Sequence, residues 1–336
     1  MRKIACFLAV AACVACNYDV AEVSDVAQEV GERGRLSVTI DYETSQTKAL
    51  TDYVQSLDEE KRVNKTAVLV FDKNTGALNA YKELLVAGGE CVLSVTTGEK
   101  VVYVVINGPA LGTVTTVDQL KQVVDDLAET DIQTNGLVMV GHQDCIVRSR
   151  ETAEPRITVR RLVARVVLHK ITNKIPPQYG DMTVDCVYLG NACTMQTLGG
   201  VSSNPVNVDG YADAAKTIPI GKDGVTGSCS GYMYRSVGGN IATGETSSSK
   251  QHLYCQPNAS GTVTCMYVLV TIMGTQYYYR VPLKDGLEAN KTYSVEIEIA
   301  NLGSLLPPDG DFQKGQIMPM ISVSGWDAGD SYVVEF

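Results

Sequence analysis

Short apolar runs recur along this chain of 336 residues, and most of them have the spacing of β-strands. Near the start, Leu36, Val38, Ile40 and Tyr42 alternate with polar residues, the pattern of a strand with one buried face. Turn-forming residues, such as those from Asp72 to Gly76, separate one run from the next. Further strands are predicted at 66–71, 91–95, 101–106, 182–189, 262–273, 276–282 and 292–300. The pattern therefore predicts an all-β fold.

One short helix interrupts the strands. Thr116 and Gln119 have the spacing of a capping box, which marks the start of a helix. Asp125 and Asp126 are expected on the solvated side of this helix. Its apolar face is predicted to hold Val117, Leu120, Val123, Val124 and Leu127.

Two longer stretches bear on domain organisation. The run from Arg156 to Ile171 is too long for one ordinary strand, so we interpret it as the last strand of one domain passing into the first strand of the next. Residues 199–250 are rich in Gly, Ser and Asn and predict long surface loops. With 336 residues, two domains are expected rather than one.

The N-terminus has the pattern of an export signal. Arg2 and Lys3 precede an uncharged stretch that is too short to span a bilayer but long enough for a signal sequence. A cysteine after small residues resembles the lipobox of bacterial lipoproteins, in which the cysteine becomes acylated. Cys13 has the better local match and Cys16 gives the more usual signal length, so Cys16 is preferred and Cys13 is the alternative. The acidic residues that follow, up to Gly34, suit a solvated tether.

Composition narrows the function classes. The formal net charge of −10 argues against nucleic acid and anionic membrane surfaces as partners. The cysteine spacings fit neither a zinc site nor a small disulfide scaffold, so buried reduced thiols are expected. Many free thiols in an exported protein indicate an anaerobic habitat. The cysteines beyond the signal are Cys91, Cys145, Cys186, Cys193, Cys229, Cys255 and Cys265.

No catalytic or metal-binding arrangement is visible in the sequence. His142, His169 and His252 are isolated, without metal-ligand spacing around them, and His169 is expected to be an ordinary strand residue. Gly221 to Gly224 lacks the glycine and the helix that a phosphate-binding loop requires. The chain is therefore predicted not to be an enzyme and to need no metal or cofactor.

The order of motifs resembles the precursors of the fimbrillins, the subunits of type V pili from anaerobic Gram-negative bacteria. A lipobox precedes the strand "GRLSVTIDY", a polar segment ending in "TKAL" follows, and then comes "NKTAVLVFD". The segments "VRRLVARVVL", "YCQPN", "YYYRVPL", "NKTYSVEIEI" and "ISVSGW" are also similar to that family. The resemblance runs in order along the whole chain.

The resemblance implies two tandem transthyretin-like β-sandwich domains, with the one short helix in the first. The expected parts are a signal and lipobox at 1–16, a tether and removable first strand at 17–48, an N-terminal domain at 49–162 and a C-terminal domain at 163–336. The removable strand would present Leu36, Val38, Ile40 and Tyr42 to a groove. Cleavage between Lys48 and Ala49 would release it. A neighbour's C-terminal segment would then fill the groove, with the donor residues Ile321, Val323, Tyr332, Val334 and Phe336.

The implied function is a major (stalk) subunit of a surface pilus that supports adhesion. It would be exported as an outer-membrane lipoprotein and joined head to tail to identical or related subunits. The family's cut site is usually described at Arg, whereas this chain has Lys48. Arg33 and Arg35 lie upstream of the strand, so cutting there would not free it, and Lys61 and Arg62 are the fallback. The alternative function is a non-polymerising surface lipoprotein that binds glycans or serves as pilus anchor or tip.

Overall fold

The computed structural model describes residues 31–42, 57–84, 91–127, 132–203, 232–258, 261, 263–283, 286–305, 317–326 and 333–334. It is built almost wholly from β-strands, which confirms the predicted all-β class. The strands form two sandwich-like arrangements, joined where β9 is followed directly by β10. Among these residues no helix is long and apolar enough to cross a membrane.

The first arrangement is a strongly folded sheet with the order β3-β2-β5-β7-β9-β1-β4, and β8 pairs with β1. Strand β9 pairs with β7 near Arg161 and with β1 near Arg156, so it links two layers. Val68, Val104 and Leu93 pack between those layers. The elements are β1 (Arg33–Tyr42), α1 (Asp58–Lys61), β2 (Thr66–Asp72), β3 (Leu78–Leu84), β4 (Cys91–Thr96), β5 (Gly98–Ile106), α2 (Val117–Gln122), β6 (Val124–Asp126), α3 (Ile132–Asn135), β7 (Met139–Val147), β8 (Thr152–Ala153) and β9 (Arg156–Arg161).

The second arrangement packs a sheet of order β14-β10-β18-β19-β20, with β15 also on β10, against a sheet of order β13-β11-β16-β17. Alternate apolar residues of both sheets, such as Val166, Val268 and Val295, form its core. The elements are β10 (Ala164–Asn173), a 3-10 helix (Pro177–Tyr179), β11 (Met182–Gly190), β12 (Met195–Thr197), β13 (Tyr234–Ile241), β14 (Thr246–Ser247), β15 (Gln251–Cys255), β16 (Cys265–Ile272), β17 (Thr275–Pro282), β18 (Lys291–Ile299), β19 (Ile317–Gly325) and β20 (Val333–Val334).

The two arrangements contact each other at several places besides the covalent connection between β9 and β10. Strand β6 pairs with β12 to form a two-stranded sheet between them. Leu162 and Leu198 pack against the outer face of the first sheet, beside Leu120 of α2. Backbone pairing and apolar contact thus both hold the second arrangement against the first.

The helical region differs from its prediction. Thr116 does cap α2, and its hydroxyl accepts a hydrogen bond from the Gln119 amide. The helix ends at Gln122, however, because the chain turns there into β6, where Val124 is exposed. Asp125 is also not a solvated helix residue: it is buried in β6 and accepts a hydrogen bond of 2.7 Å from Gln256 Nε2. Two further helices, α1 and α3, were not predicted.

Candidate functional site

Strand β1 lies in a groove with a partner strand on each side, and this groove is called the slot below. Its first half is antiparallel to β4, from Arg33 opposite Thr96 to Val38 opposite Cys91. On the other side it runs parallel to β8 and then to β9, where Thr39 to Tyr42 face Arg156 to Val159. The amides of Arg35 and Thr39 donate to the carbonyls of Glu151 (3.2 Å) and Pro155 (3.1 Å). Removing β1 would therefore expose the unpaired edges of β4 and β9 at once.

The inward side chains of β1 complete the first core. Leu36 and Val38 are 0% exposed, and Ile40 is partly buried against the same cluster. Their neighbours in the cluster include Val95 of β4 and Ile157 of β9. Tyr42 lies opposite Val159 of β9. Burial is worth about 1.5–3 kcal/mol for each fully buried side chain of this size, so the slot without β1 is a costly state.

Gly34 fits β1 against the end of β7. A Cβ atom placed on Gly34 would lie 2.5 Å from Val147 Cγ1 and 2.6 Å from the Arg148 carbonyl oxygen. No side chain fits that space without a shift in the backbone. The need for glycine here was not foreseen, because the contact joins residues far apart in sequence.

Charged groups on β1 contribute little to the binding of this strand in the slot. Arg33 and Arg35, which were expected upstream of the strand, lie within β1 because its pairing with β4 begins at Arg33, and both side chains are exposed. Asp41 lies 3.4 Å from the Arg156 guanidinium, but this ion pair is solvent-exposed, and such pairs stabilise weakly. The hold on β1 is thus mainly apolar packing and backbone pairing.

Several predicted site residues lie outside the described residues: the lipidation candidates Cys13 and Cys16, and the proposed cut between Lys48 and Ala49. The fallback residues are described. Lys61 ends α1, the Arg62 amide donates to Glu59 O (3.4 Å), and the Arg62 carbonyl accepts from Asn107 Nδ2 (2.7 Å). Proteases prefer exposed segments whose backbone is free to enter the enzyme. The bonded backbone at Arg62 is therefore a poor substrate for them.

The predicted donor residues fall into two groups. Ile321 and Val323 lie in β19, are 1% and 3% exposed, and pack in the core of their own arrangement. Beyond Trp326, Val333 and Val334 form β20, which pairs with Ser322 and Ile321 of β19. Tyr332 and Phe336 lie outside the described residues. The described residues beyond Trp326 are thus paired at two positions, whereas β1 is paired along ten.

The remaining chemistry-bearing residues form no catalytic arrangement in the described ranges. His142 stacks on Tyr103, and His169 Nδ1 lies 3.1 Å from Glu296 Oε1. Burial and nearby Lys250 lower the pKa of His169 despite the Glu296 carboxylate. No group of three or more His, Cys, Asp or Glu side chains that could hold a metal ion occurs in the part of the chain that the structure describes.

The cysteines that the structure describes are thiols rather than disulfides. Burial raises the pKa of Cys186 to about 12 and also raises the pKa of Cys255. Because the thiolate is the nucleophile, these buried thiols are inert at neutral pH. Cys229 lies outside the described residues.

A buried charged cluster at the domain junction was missed by sequence reasoning. The Glu60 carboxylate and the Arg165 guanidinium are 2.7 Å apart with both side chains 0% exposed. The signal available was a set of arginines inside the apolar run from Arg156 to Ile171. Their acidic partner is 105 residues from Arg165 in sequence and could not be identified from the pattern.

The geometry defines a class of protein: two β-sandwich arrangements in tandem, the first completed by its own N-terminal strand. The family model of the major fimbrial subunit protein (FimA) matches residues 35–153, which begin within β1 and end with β8. No curated protein matches the chain.

Solved structures share the fold over most of the chain. A protein described as a candidate cell adhesion protein from Parabacteroides distasonis aligns with a TM-score of 0.63 at 19% identity, covering 89% of this chain and 99% of that one. A fimbrilin from Porphyromonas gingivalis aligns with a TM-score of 0.62 at 11% identity, covering 88% and 98%. Together with the family match, this fold confirms the predicted resemblance to the fimbrillins.

Proposed function

We propose that this chain is a structural subunit of a surface pilus that supports adhesion, polymerised by donor-strand exchange after proteolytic removal of β1. The observation that carries the proposal is the position of β1, the first described strand of the chain, which lies between β9 and β4 with both of its edges paired. The FimA family match and the fold shared with a fimbrilin support the same class of function.

The slot explains why the precursor would remain a monomer. While β1 is in place, Leu36 and Val38 fill the apolar pockets and both neighbouring strand edges are paired. Once the chain is cut after Lys48, β1 is held only by non-covalent contacts and can leave. The emptied slot offers two strand edges and an apolar floor, which favour capture of a strand from another subunit.

We assign the donated strand to the residues after Trp326, with Tyr332, Val334 and Phe336 as its apolar side chains. Donation of Ile321 and Val323 would also remove two buried residues from the C-terminal core, which is a large cost. Among the described residues beyond Trp326, Val333 and Val334 pair with β19 at two positions, and breaking that pairing costs less than removing Ile321 and Val323 from the core. A contact between the tail of one subunit and the slot of the next is head to tail and does not close, so it builds a filament.

The test of cleavage compares two single substitutions. Lys48→Ala is expected to leave folding and export intact and to abolish filaments, because the slot stays filled. Lys61→Ala is the matched control: it removes an exposed lysine in α1 and keeps the proposed site, so filaments are expected at the normal level. Filaments from Lys48→Ala whose mature N-terminus is unchanged at Ala49 would refute cleavage by a basic-residue-specific protease at this site. A new N-terminus after Lys61 or Arg62 would instead show a shifted cut.

The membrane-anchored precursor is a separate part of the proposal. Acylation is assigned to Cys16, with Cys13 as the alternative, and would hold the precursor at the outer membrane until cleavage. Metabolic labelling with a radioactive fatty acid should label the Lys48→Ala precursor and the Cys13→Ser variant but not Cys16→Ser. N-terminal sequencing of surface protein separates the function classes: Ala49 supports a processed pilin, and a blocked, acylated Cys16 supports an anchor or a non-polymerising binder.

A further inference from the structure

The charged cluster at the domain junction is closely bonded around Glu60. The Glu60 carboxylate receives Arg165 Nη1 at 2.7 Å, the Tyr254 hydroxyl at 2.6 Å and the Leu57 amide at 2.8 Å. Arg161 donates to the Glu60 carbonyl through Nε (3.3 Å) and Nη2 (3.2 Å). One short helix is thus held through both its side chain and its backbone.

Trp326 lies on the same arginines. Its ring is 1% exposed, with the guanidinium of Arg161 at 4.9 Å and that of Arg165 at 4.7 Å from the ring centroid. The Tyr254 ring is nearly parallel to it, at 5.9 Å and 19°. The backbone amide of Trp326 donates to the Asn290 carbonyl at 3.1 Å. Two cation–π contacts in a desolvated site are stronger than the same contacts at a surface.

Glu60 and Trp326 lie close in sequence to the two segments that the proposed assembly changes. Helix α1 is the first described element after residues 43–56, which contain the proposed cut. Trp326 is the last described residue before the chain continues to β20 and its end. The arginines come from β9 and β10, where the chain passes from one arrangement to the other. The cluster therefore joins the start of the processed chain, the base of the tail and the domain junction.

We propose that Glu60, Arg161, Arg165 and Trp326 form a clamp that keeps the base of the C-terminal tail fixed to its own subunit while the residues beyond it are donated. This inference rests on the proposed function. Tension on the tail would end at Trp326, and β19 would stay in its sheet. Withdrawing Trp326 would break both cation–π contacts and expose its buried ring to water, and both changes are costly.

The clamp competes with a clear alternative, in which β19 and β20 are both withdrawn and donated together. That alternative would carry Trp326 out of its site along with Ile321 and Val323. The clamp predicts that Trp326 keeps its surroundings in the precursor, in the cleaved subunit and in the filament. The alternative predicts that Trp326 changes its surroundings on assembly.

Trp326 is the only tryptophan in the chain, so its fluorescence reports on the clamp alone. We would measure the emission maximum and acrylamide quenching for the full chain with a specific protease sequence placed after Lys48. The measurement is made before cutting, after cutting and in filaments. The expected result is a blue-shifted, poorly quenched emission in all three states. A red shift or a rise in quenching toward that of the unfolded chain, in the cut monomer or in filaments, would overturn the clamp.

A pair of matched variants adds a second readout. Glu60→Gln keeps the shape of the side chain and removes its charge, whereas Asp58→Asn makes the same change at an exposed position of the same helix. Glu60→Gln is expected to increase Trp326 quenching and to give filaments that dissociate at lower detergent concentration, while Asp58→Asn matches the unmodified protein. Equal filament stability in both variants would count against the clamp.

The two proposals fail separately. If the cut chain forms no filaments, the proposed function fails, and the quenching of the cut monomer still decides whether Trp326 stays clamped. If filaments form and Trp326 becomes exposed in them, the function stands and the clamp is wrong. If Glu60→Gln does not fold, the three-state measurement on the unmodified sequence remains decisive.

Discussion

At the scale of single residues, Gly34 allows β1 to approach the end of β7 closely. Replacing Gly34 with Val would push a side chain into Val147 and the Arg148 carbonyl. Overpacking of this kind costs about 1–3 kcal/mol, so we expect a lower melting temperature for the uncut chain and looser binding of β1 after cutting. The matched control is Gly112→Ala, since a Cβ there meets no atom within 4 Å and its φ is not positive. Equal melting temperatures for the two variants would contradict a close approach of Gly34 to Val147 and the Arg148 carbonyl.

Glu60 makes the stability of the molecule depend on pH. Burial alone would raise the pKa of this carboxyl, but His252, Arg165, Tyr254 and the Leu57 amide outweigh it, and the pKa lies below the ordinary value of 4.5. A lowered folded-state pKa contributes stability above pH 4.5, and that stability is lost as pH falls through the folded value.

The variant Glu60→Gln should therefore lose stability at neutral pH and show a weaker acid dependence than the unmodified protein. Breaking a buried ion pair on one side costs about 3–5 kcal/mol. Urea unfolding at neutral and acidic pH measures this, with Asp58→Asn as the exposed control. If Glu60→Gln and the unmodified protein lose the same stability on acidification, Glu60 is not the group responsible.

Sequence pattern identified the inward residues of β1 but not those at Gly34 and Glu60. Leu36 and Val38 were visible because successive strand residues point to opposite faces, so alternation alone gives the buried side. The partners of Glu60 are 105 and 194 residues away, at Arg165 and Tyr254, and no local period reports such a contact.

At the scale of elements, strands with a continuous apolar run were predicted well, and strands whose sequence also contains turn-forming residues were missed. The apolar strands β2, β5 and β16 lie where their runs predict them. Strand β13 falls within the stretch predicted to be loops, because its sequence "YRSVGGNI" includes two glycines. Helix α2 stopped early because β6 gains pairing with β12 and a buried hydrogen bond for Asp125, which tertiary contact alone provides.

The strength of the β1 contact can be tuned at Leu36. Leu36→Ala is expected to destabilise the uncut chain by about 2–5 kcal/mol, since the side chain is fully buried. After cutting, β1 should leave faster and filaments should appear sooner, because release of this strand precedes assembly in the proposed scheme. Thr39→Ala is the control, since Thr39 is exposed on the same strand. Size-exclusion chromatography of the cut protein follows both events. Slower assembly by Leu36→Ala than by Thr39→Ala would contradict strand release as the controlling step.

At the scale of the whole molecule, several contacts among the described residues connect the two arrangements. The β6–β12 pairing, the Leu162 and Leu198 contacts and the Glu60 cluster all cross the junction. The slot filled by β1 and the base of the tail at Trp326 are thus attached to a common frame. A filament built from such subunits would transmit force from one subunit's slot to its tail through this junction.

Deleting residues 332–336 tests the tail as donor. The truncated chain should fold and melt close to the full chain, because the described pairing that the deletion removes is limited to Val333 and Val334 of β20. After cutting it should not extend filaments by itself. Loss of Tyr332, Val334 and Phe336 removes three apolar side chains, about 4–9 kcal/mol of gross burial at the contact between subunits.

The truncated subunit also has a distinctive effect in mixtures. It keeps an empty slot after cutting, so it should accept a tail from a full-length neighbour but offer none to the next subunit. Adding it to full-length cut protein should shorten filaments in proportion to its share, as measured by electron microscopy. The uncut truncated chain is the control and should shorten nothing, since β1 still fills its slot. If the cut, truncated protein polymerises alone, the donated strand lies elsewhere; if it melts far below the full chain, the tail serves its own domain.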